Sequence, residues 1–142
     1  MFGAADPGQA ISQLEAYYHE GRGERVEVMA SALVDQLMAV KSRSEEIQEI
    51  LVRALRILSA VLNSRGKYLQ ARSTIGLLHK HRKKYFRSSG NYDANLAASD
   101  YHLGGFIHAN ANKKSAAKKS FAKCEKLQPG HLAAALDVAE QC

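Results

Sequence analysis

Apolar residues recur along this chain at intervals of three and four, the spacing that gathers them on one face of a helix. Ala10, Leu14, Tyr17 and Tyr18 open the series. Asp6 supplies a capping carboxylate, and Pro7 is pre-set for a first helical turn. Gly21-Arg22-Gly23 closes this first helix. Val26, Met29, Ala30, Leu33, Leu37 and Val40 predict a second, from about Glu24 to Val40. Ser42 followed by Glu45 has the spacing of a capping box and starts a third. Its stripe is Ile47, Ile50, Leu51, Ala54, Leu55, Leu58 and Leu62, and Gly66 ends it as a left-handed cap. Tyr68, Ala71, Ile75, Leu78, Arg82 and Tyr85 mark a fourth helix, broken by Ser88-Ser89-Gly90-Asn91. Asp93 or Asn91 caps a fifth, which carries Leu96, Ala97, Tyr101, Leu103, Gly104 and Ile107. Beyond the polar turn Asn110-Ala111-Asn112, a sixth carries Ala116, Ala117, Phe121, Cys124 and Leu127 and stops at Pro129-Gly130. A short last helix, over 131–141, carries Leu132, Ala135, Leu136 and Ala139. Alternating strand runs bounded by turn residues are absent, so the expected class is all-α.

The pattern also repeats. A shift of 45 residues lays Gly21 on Gly66, Val26 on Ala71, Ala30 on Ile75 and Leu33 on Leu78. A second such shift lays Leu58-Ser59 on Leu103-Gly104 and Leu62 on Ile107. The helix after that slips by one, so Ala71, Ile75 and Leu78 match Ala117, Phe121 and Cys124. Three helix pairs follow, approximately 8–41, 44–87 and 92–128, with an extra residue in the third turn.

Arg53 to Gly90 resembles a tetratricopeptide repeat. Leu55, Leu58, Ser59 and Leu62 sit at that family's first-helix contacts, and Gly66-Lys67-Tyr68 with Ala71 looks like its G-x-Y-x-x-A turn. Tyr101 to Pro129 is similar again through Leu103-Gly104, Ile107, Ala117, Phe121, Cys124 and Pro129. The repeat departs from the usual 34 residues or so, like the extended-helix varieties of kinesin light chains and some bacterial regulators. A period near 45 also suits HEAT-type repeats. Residues 8 to 41 match the pattern poorly. The resemblance implies one domain over 1–142, a right-handed α-solenoid of about three antiparallel helix pairs with a C-terminal capping helix.

Composition adds little that conflicts. The chain has 142 residues, 46% of them hydrophobic and only 2 prolines, which leaves long runs free of helix breakers. The net charge of +6 favours acidic partners. Cys124 and Cys142 make no disulfide framework, and Cys124 reads as a small buried hydrophobe. With no basic-then-apolar leader and no run of about 20 apolar residues, the expectation is a cytoplasmic protein without membrane insertion.

No phosphate-binding glycine loop, dinucleotide fingerprint, zinc-protease motif or nucleophile elbow occurs. An enzyme, a cofactor or a metal is therefore not expected. His79 and His81 are two apart, and His102 and His108 six apart, so neither pair shares a helical turn; the histidines read as surface or groove residues. The run from His79 to Arg87 is basic with interleaved aromatics, which can hold phosphates, but cations also suit a helix C-terminus. Lys119 and Lys123 stand on one face of the sixth helix, with Lys126 beyond. Arg82, Lys83, Lys84, Arg87, Lys119 and Lys123 are thus the residues for a basic regulatory module associated with nucleic acid or other polyanions, the less favoured reading. The favoured one follows from the resemblance, in which first helices line a concave surface. Arg53, Arg56, Ala60 and Asn63 would face it, as would Tyr101, Gly105 and His108, with Ser12, Ala16 and His19 joining from the first helix. Arg53, Arg56, Asn63, Tyr101 and His108 are the partner-binding residues of a scaffold or adaptor. It would grip a protein or peptide with acidic groups, and could self-associate or belong to a larger assembly.

Overall fold

The computed structural model describes residues 6–130, which form six α-helices and no strand. They are α1 (Pro7–His19), α2 (Gly23–Met38), α3 (Glu45–Ser64), α4 (Tyr68–Ser89), α5 (Ala94–Asn110) and α6 (Lys114–Leu127). The helix expected over 131–141 lies outside the described residues, as does Cys142. Among the described residues no helix is long and apolar enough to cross a membrane.

The helix starts follow from short side chains that satisfy free amides. An Asp6 carboxylate oxygen accepts from the Gly8 amide at 3.1 Å, and Pro7 needs no acceptor. For α3 the cap is Ser44 rather than Ser42. The Ser44 hydroxyl accepts from the Ile47 amide at 3.2 Å, and Glu45 and Glu46 occupy the positive first turn. Asp93, not Asn91, caps α5 and accepts from both the Asn95 and Leu96 amides. At the other end of α2, Arg43 donates to the carbonyls of Leu37, Met38 and Val40 and to the Gln48 side chain. It thereby fixes the turn from α2 to α3.

The three hairpin turns are built alike. In the first, Glu20, Gly21 and Arg22 amides donate to the carbonyls of Ala16, Tyr18 and Tyr17. In the second, Arg65, Gly66 and Lys67 donate to Val61, Asn63 and Leu62, and in the third Ala111, Asn112 and Lys113 donate to Ile107, Ala109 and His108. This is the Schellman closure, which needs one left-handed residue. Gly21 (φ 76°), Gly66 (φ 80°) and Asn112 (φ 61°) provide it. The residue that follows each of them has nearly the same conformation: Arg22 at φ −85°, ψ 65°, Lys67 at −90°, 62° and Lys113 at −109°, 74°. The single-residue slip expected in the third turn is therefore the step from Gly66 to Asn112. The first helices begin at Pro7, Glu45 and Ala94, so helix length varies more than turn geometry.

Each hairpin packs on itself, and substantial packing otherwise joins only helices one or two apart in chain order. α3 is the hub, in contact with α1, α2, α4 and α5. Leu51, Leu55, Leu33, Leu37, Ile75, Leu78 and Ile107 are wholly buried, each worth about 1.5–3 kcal/mol of transfer free energy. Arg56 meets Ser99 and Asp100, while Asn63 meets Asn110, so α3 and α5 run parallel. Arg82 meets Asp100 and Arg72 meets His108, so α4 and α5 run antiparallel.

Candidate functional site

Two concavities share a wall made by one buried ion cluster. Asp100 of α5 is 1% exposed. Its carboxylate accepts from Arg56 of α3 at 2.8 Å and from Arg82 of α4 at 2.7 Å. A carboxylate this deep is tolerated only with such partners. Two guanidiniums share it, and Arg56 turns its other arm to the Ser99 hydroxyl at 2.8 Å. Asp100 was not among the residues singled out from sequence.

On one side of this cluster lies an open hollow of about 490 Å³, lined from α1 by Glu15, Tyr18 and His19. α3 contributes Glu49, Arg53, Arg56 and Ile57, α4 adds Arg82 and Tyr85, and α5 adds Leu96. Arg53 donates bidentately to Glu15 at 2.6 and 3.1 Å and also to Glu49 at 3.2 Å. The Glu15 hydrogen bond raises the Arg53 pKa further above its usual range. The Tyr85 hydroxyl donates to Glu49 at 3.3 Å, and burial, then Glu49, pushes its pKa up. The arginines of the hollow are thus matched by carboxylates. Its uncommitted surface is Tyr18 and Leu96, both about two-fifths exposed.

Of the five groove residues expected from sequence, Arg53 and Arg56 share this hollow. Asn63 lies further along the same helix, where its side-chain oxygen accepts from Asn110 at 3.0 Å. Tyr101 and His108 lie elsewhere. Tyr101 stacks on His79 of α4, ring centres 4.1 Å apart and 15° from parallel, with the Lys123 ammonium 5.2 Å from its ring centre. His108 accepts from Arg72 of α4 at 2.9 Å, and burial, then Arg72, lowers its pKa. Gly105 faces α6, where a side chain would strike Phe121. These three positions form one stripe of α5 turned toward α4 and α6. Ser99, Asp100 and Asn110 carry the contacts with α3. Ser12, Ala16 and His19 are exposed on α1, and Ala60 is half-buried on α3.

The basic residues divide as well. Arg82 is buried on Asp100 and unavailable to an outside anion. Lys83, Lys84, Arg87, Lys119 and Lys123 are exposed. Lys83 of α4 and Lys123 of α6 both line a second concavity, a smaller cleft of about 170 Å³ that also borders Arg82 and Asp100 of the ion cluster. Its walls include His79, Phe86, Tyr92, Ala97, Tyr101 and Leu127. Phe86 and Tyr92 stand edge to face with centres 5.2 Å apart.

The two histidines of α4 are deeper than expected. His81 is 2% exposed, and its Nδ1 lies 3.1 Å from the Gln48 side-chain nitrogen, which can only donate. The ring is therefore neutral. Burial, then Arg43 and the neighbouring lysines, lowers its pKa to about 4. Burial also takes His79 down to about 4, although Asp100 opposes it. The Nε2 atoms of His79 and His81 are buried without a hydrogen-bond partner. Both histidines sit on the α4 stripe that continues from Ile75 and Leu78. Among the described residues no three metal-ligating side chains converge. Compared with known proteins, the chain matches no family model and no curated sequence.

Proposed function

We propose that the chain is a non-catalytic interaction module, a tetratricopeptide-like stack of helix pairs that binds a segment of a partner protein along the α1–α3–α5 hollow. Three features support a repeat stack: the thrice-used hairpin turn, first helices with parallel α3 and α5, and packing confined to near neighbours in the chain. One observation carries the binding reading. The hollow pairs two exposed apolar side chains, Tyr18 and Leu96, with a floor of arginines already held rigid by carboxylates.

That floor changes the kind of partner. With Arg53, Arg56 and Arg82 each facing a carboxylate, the hollow carries little unmatched charge. Residual guanidinium N–H groups suit main-chain carbonyls of a peptide, and Tyr18 and Leu96 suit one or two apolar side chains. An apolar segment with few charges fits better than a strongly acidic one. Its affinity should fall only slightly with salt, unlike phosphate binding, which falls steeply.

The test is selection of peptides from a random display library on the full chain, followed by mapping of a selected peptide by backbone NMR. We expect shifts at Glu15, Tyr18, Arg53 and Leu96, and at least about tenfold weaker binding by Tyr18→Asp/Leu96→Asp, a loss of ~1.4 kcal/mol. Both positions are exposed, so the variant should keep its circular dichroism. Shifts confined to α6, or unchanged affinity in the folded variant, would reject the hollow.

A further inference from the structure

We infer that the cleft between α4, α5 and α6 is a second, separate site, which takes a small single-ring aromatic anion such as an aryl carboxylate or aryl phosphate. Size, shape and charge each narrow the choice.

Its room is about 170 Å³. An apolar cavity of about 150 Å³ holds one benzene ring, so the cleft has room for one six-membered ring. The lining suits a ring. Tyr101 is held flat by its stack on His79, and Phe86 and Tyr92 stand edge to face. Leu127 adds an aliphatic wall. Rings meet such surfaces in offset or edge-on arrangements.

Charge supplies the second half. The one carboxylate of the lining is Asp100, and Arg56 and Arg82 already share it. Lys83 and Lys123 also line the cleft, and neither has a carboxylate partner among the described residues. Two unmatched ammonium groups beside an apolar slot favour an anion. The α1–α3–α5 hollow, where every arginine is matched, offers no such excess. An anionic headgroup on a single ring is the occupant that satisfies both halves. The lysines would hold the charge while the ring lies among Phe86, Tyr92 and Tyr101.

This site is independent of peptide binding in the hollow, and its test separates the two. The full chain would be titrated with four probes: phenyl phosphate, benzoate, inorganic phosphate and benzyl alcohol. Amide and aromatic NMR shifts would be followed. Phenyl phosphate and benzoate should saturate with Kd of about 1 mM or tighter, moving Tyr92, Ala97, Tyr101 and Lys123. Inorganic phosphate lacks the ring and benzyl alcohol lacks the charge, so each should bind at least about tenfold more weakly. Lys83→Met/Lys123→Met should weaken phenyl phosphate at least about tenfold and leave benzyl alcohol unchanged. Both lysines are exposed, so this variant should fold, and Tyr18→Asp/Leu96→Asp should bind the aryl anions normally. Equal binding of inorganic phosphate and phenyl phosphate would overturn the proposal. So would shifts outside the cleft, or full affinity in the lysine variant.

Discussion

Two glycines inside helices, Gly105 of α5 and Gly76 of α4, meet different surroundings. A Cβ on Gly105 would lie 2.4 Å from the ring of Phe121. That ring is held by Phe106, centres 5.3 Å apart and nearly perpendicular, with His102 beside it. It cannot withdraw without disturbing both. Overpacking of this kind costs about 1–3 kcal/mol, against about 1 kcal/mol that alanine gains over glycine in a helix. Gly105→Ala should therefore lose up to about 2 kcal/mol in urea unfolding, and Phe121→Leu in the same chain should restore most of it. Nothing lies within 4 Å of a Cβ on Gly76, so Gly76→Ala should gain about 1 kcal/mol. A Gly105→Ala protein as stable as its parent would show that Phe121 is mobile enough to yield.

Between elements, Asp100 is the joint. It ties α5 to α3 through Arg56 and to α4 through Arg82. Asp100→Ala would leave the Arg82 guanidinium, 8% exposed, without a counter-charge. Removing one partner of a buried pair costs about 3–5 kcal/mol, whereas replacing the pair by apolar groups is often neutral. Asp100→Leu/Arg82→Met should thus regain most of what Asp100→Ala loses, as read from urea midpoints. A double variant no better than the single would mean that packing, not charge, sets the cost. The joint was hard to read from sequence because its partners come from three helices. One local sign existed: Asp100 is the only charged residue in α5. The α4 stripe was followed through Arg82 to Tyr85, but His81, at the same helical spacing from Thr74 and Leu78, was left out of it. The helices and turns were readable for local reasons. Gly21 and Gly66 announced their left-handed turns, while Asn112 did the same job less visibly. Ser42 was chosen for its spacing to Glu45, but the backbone starts the helix two residues later, with Ser44 as cap and Glu45 and Glu46 in the first turn. Tyr101 and His108 were misplaced because which stripe of α5 faces α3 is decided by Asp100, one residue away from the assumed register.

At the scale of the whole molecule, the order of the helices predicts an uneven distribution of stability. α3 has 11 buried residues and packs against four helices, whereas α6 packs chiefly on α5 and buries Ala117, Ser120 and Cys124. In a stack where units touch mainly their neighbours, stability is close to a sum of unit and interface terms, and helices with fewer interfaces open at lower free energy. Native-state hydrogen exchange should find the α3 amides around Leu51 to Leu58 slowest, opening only with the whole chain. The α6 amides should exchange through a smaller opening, about 1–3 kcal/mol easier. A destabilising change in the hub, Leu55→Ala at about 2–5 kcal/mol, should speed α3 exchange by its full effect. It should reach α6 only once global unfolding becomes easier than local opening. Asp100→Ala should act differently, releasing α5 and α6 together from α3 and α4, because it cuts the joint between the second and third hairpins. Equal protection along all six helices, with every variant lowering it uniformly, would mean a single cooperative body and would remove the basis for treating the hairpins as stacked units.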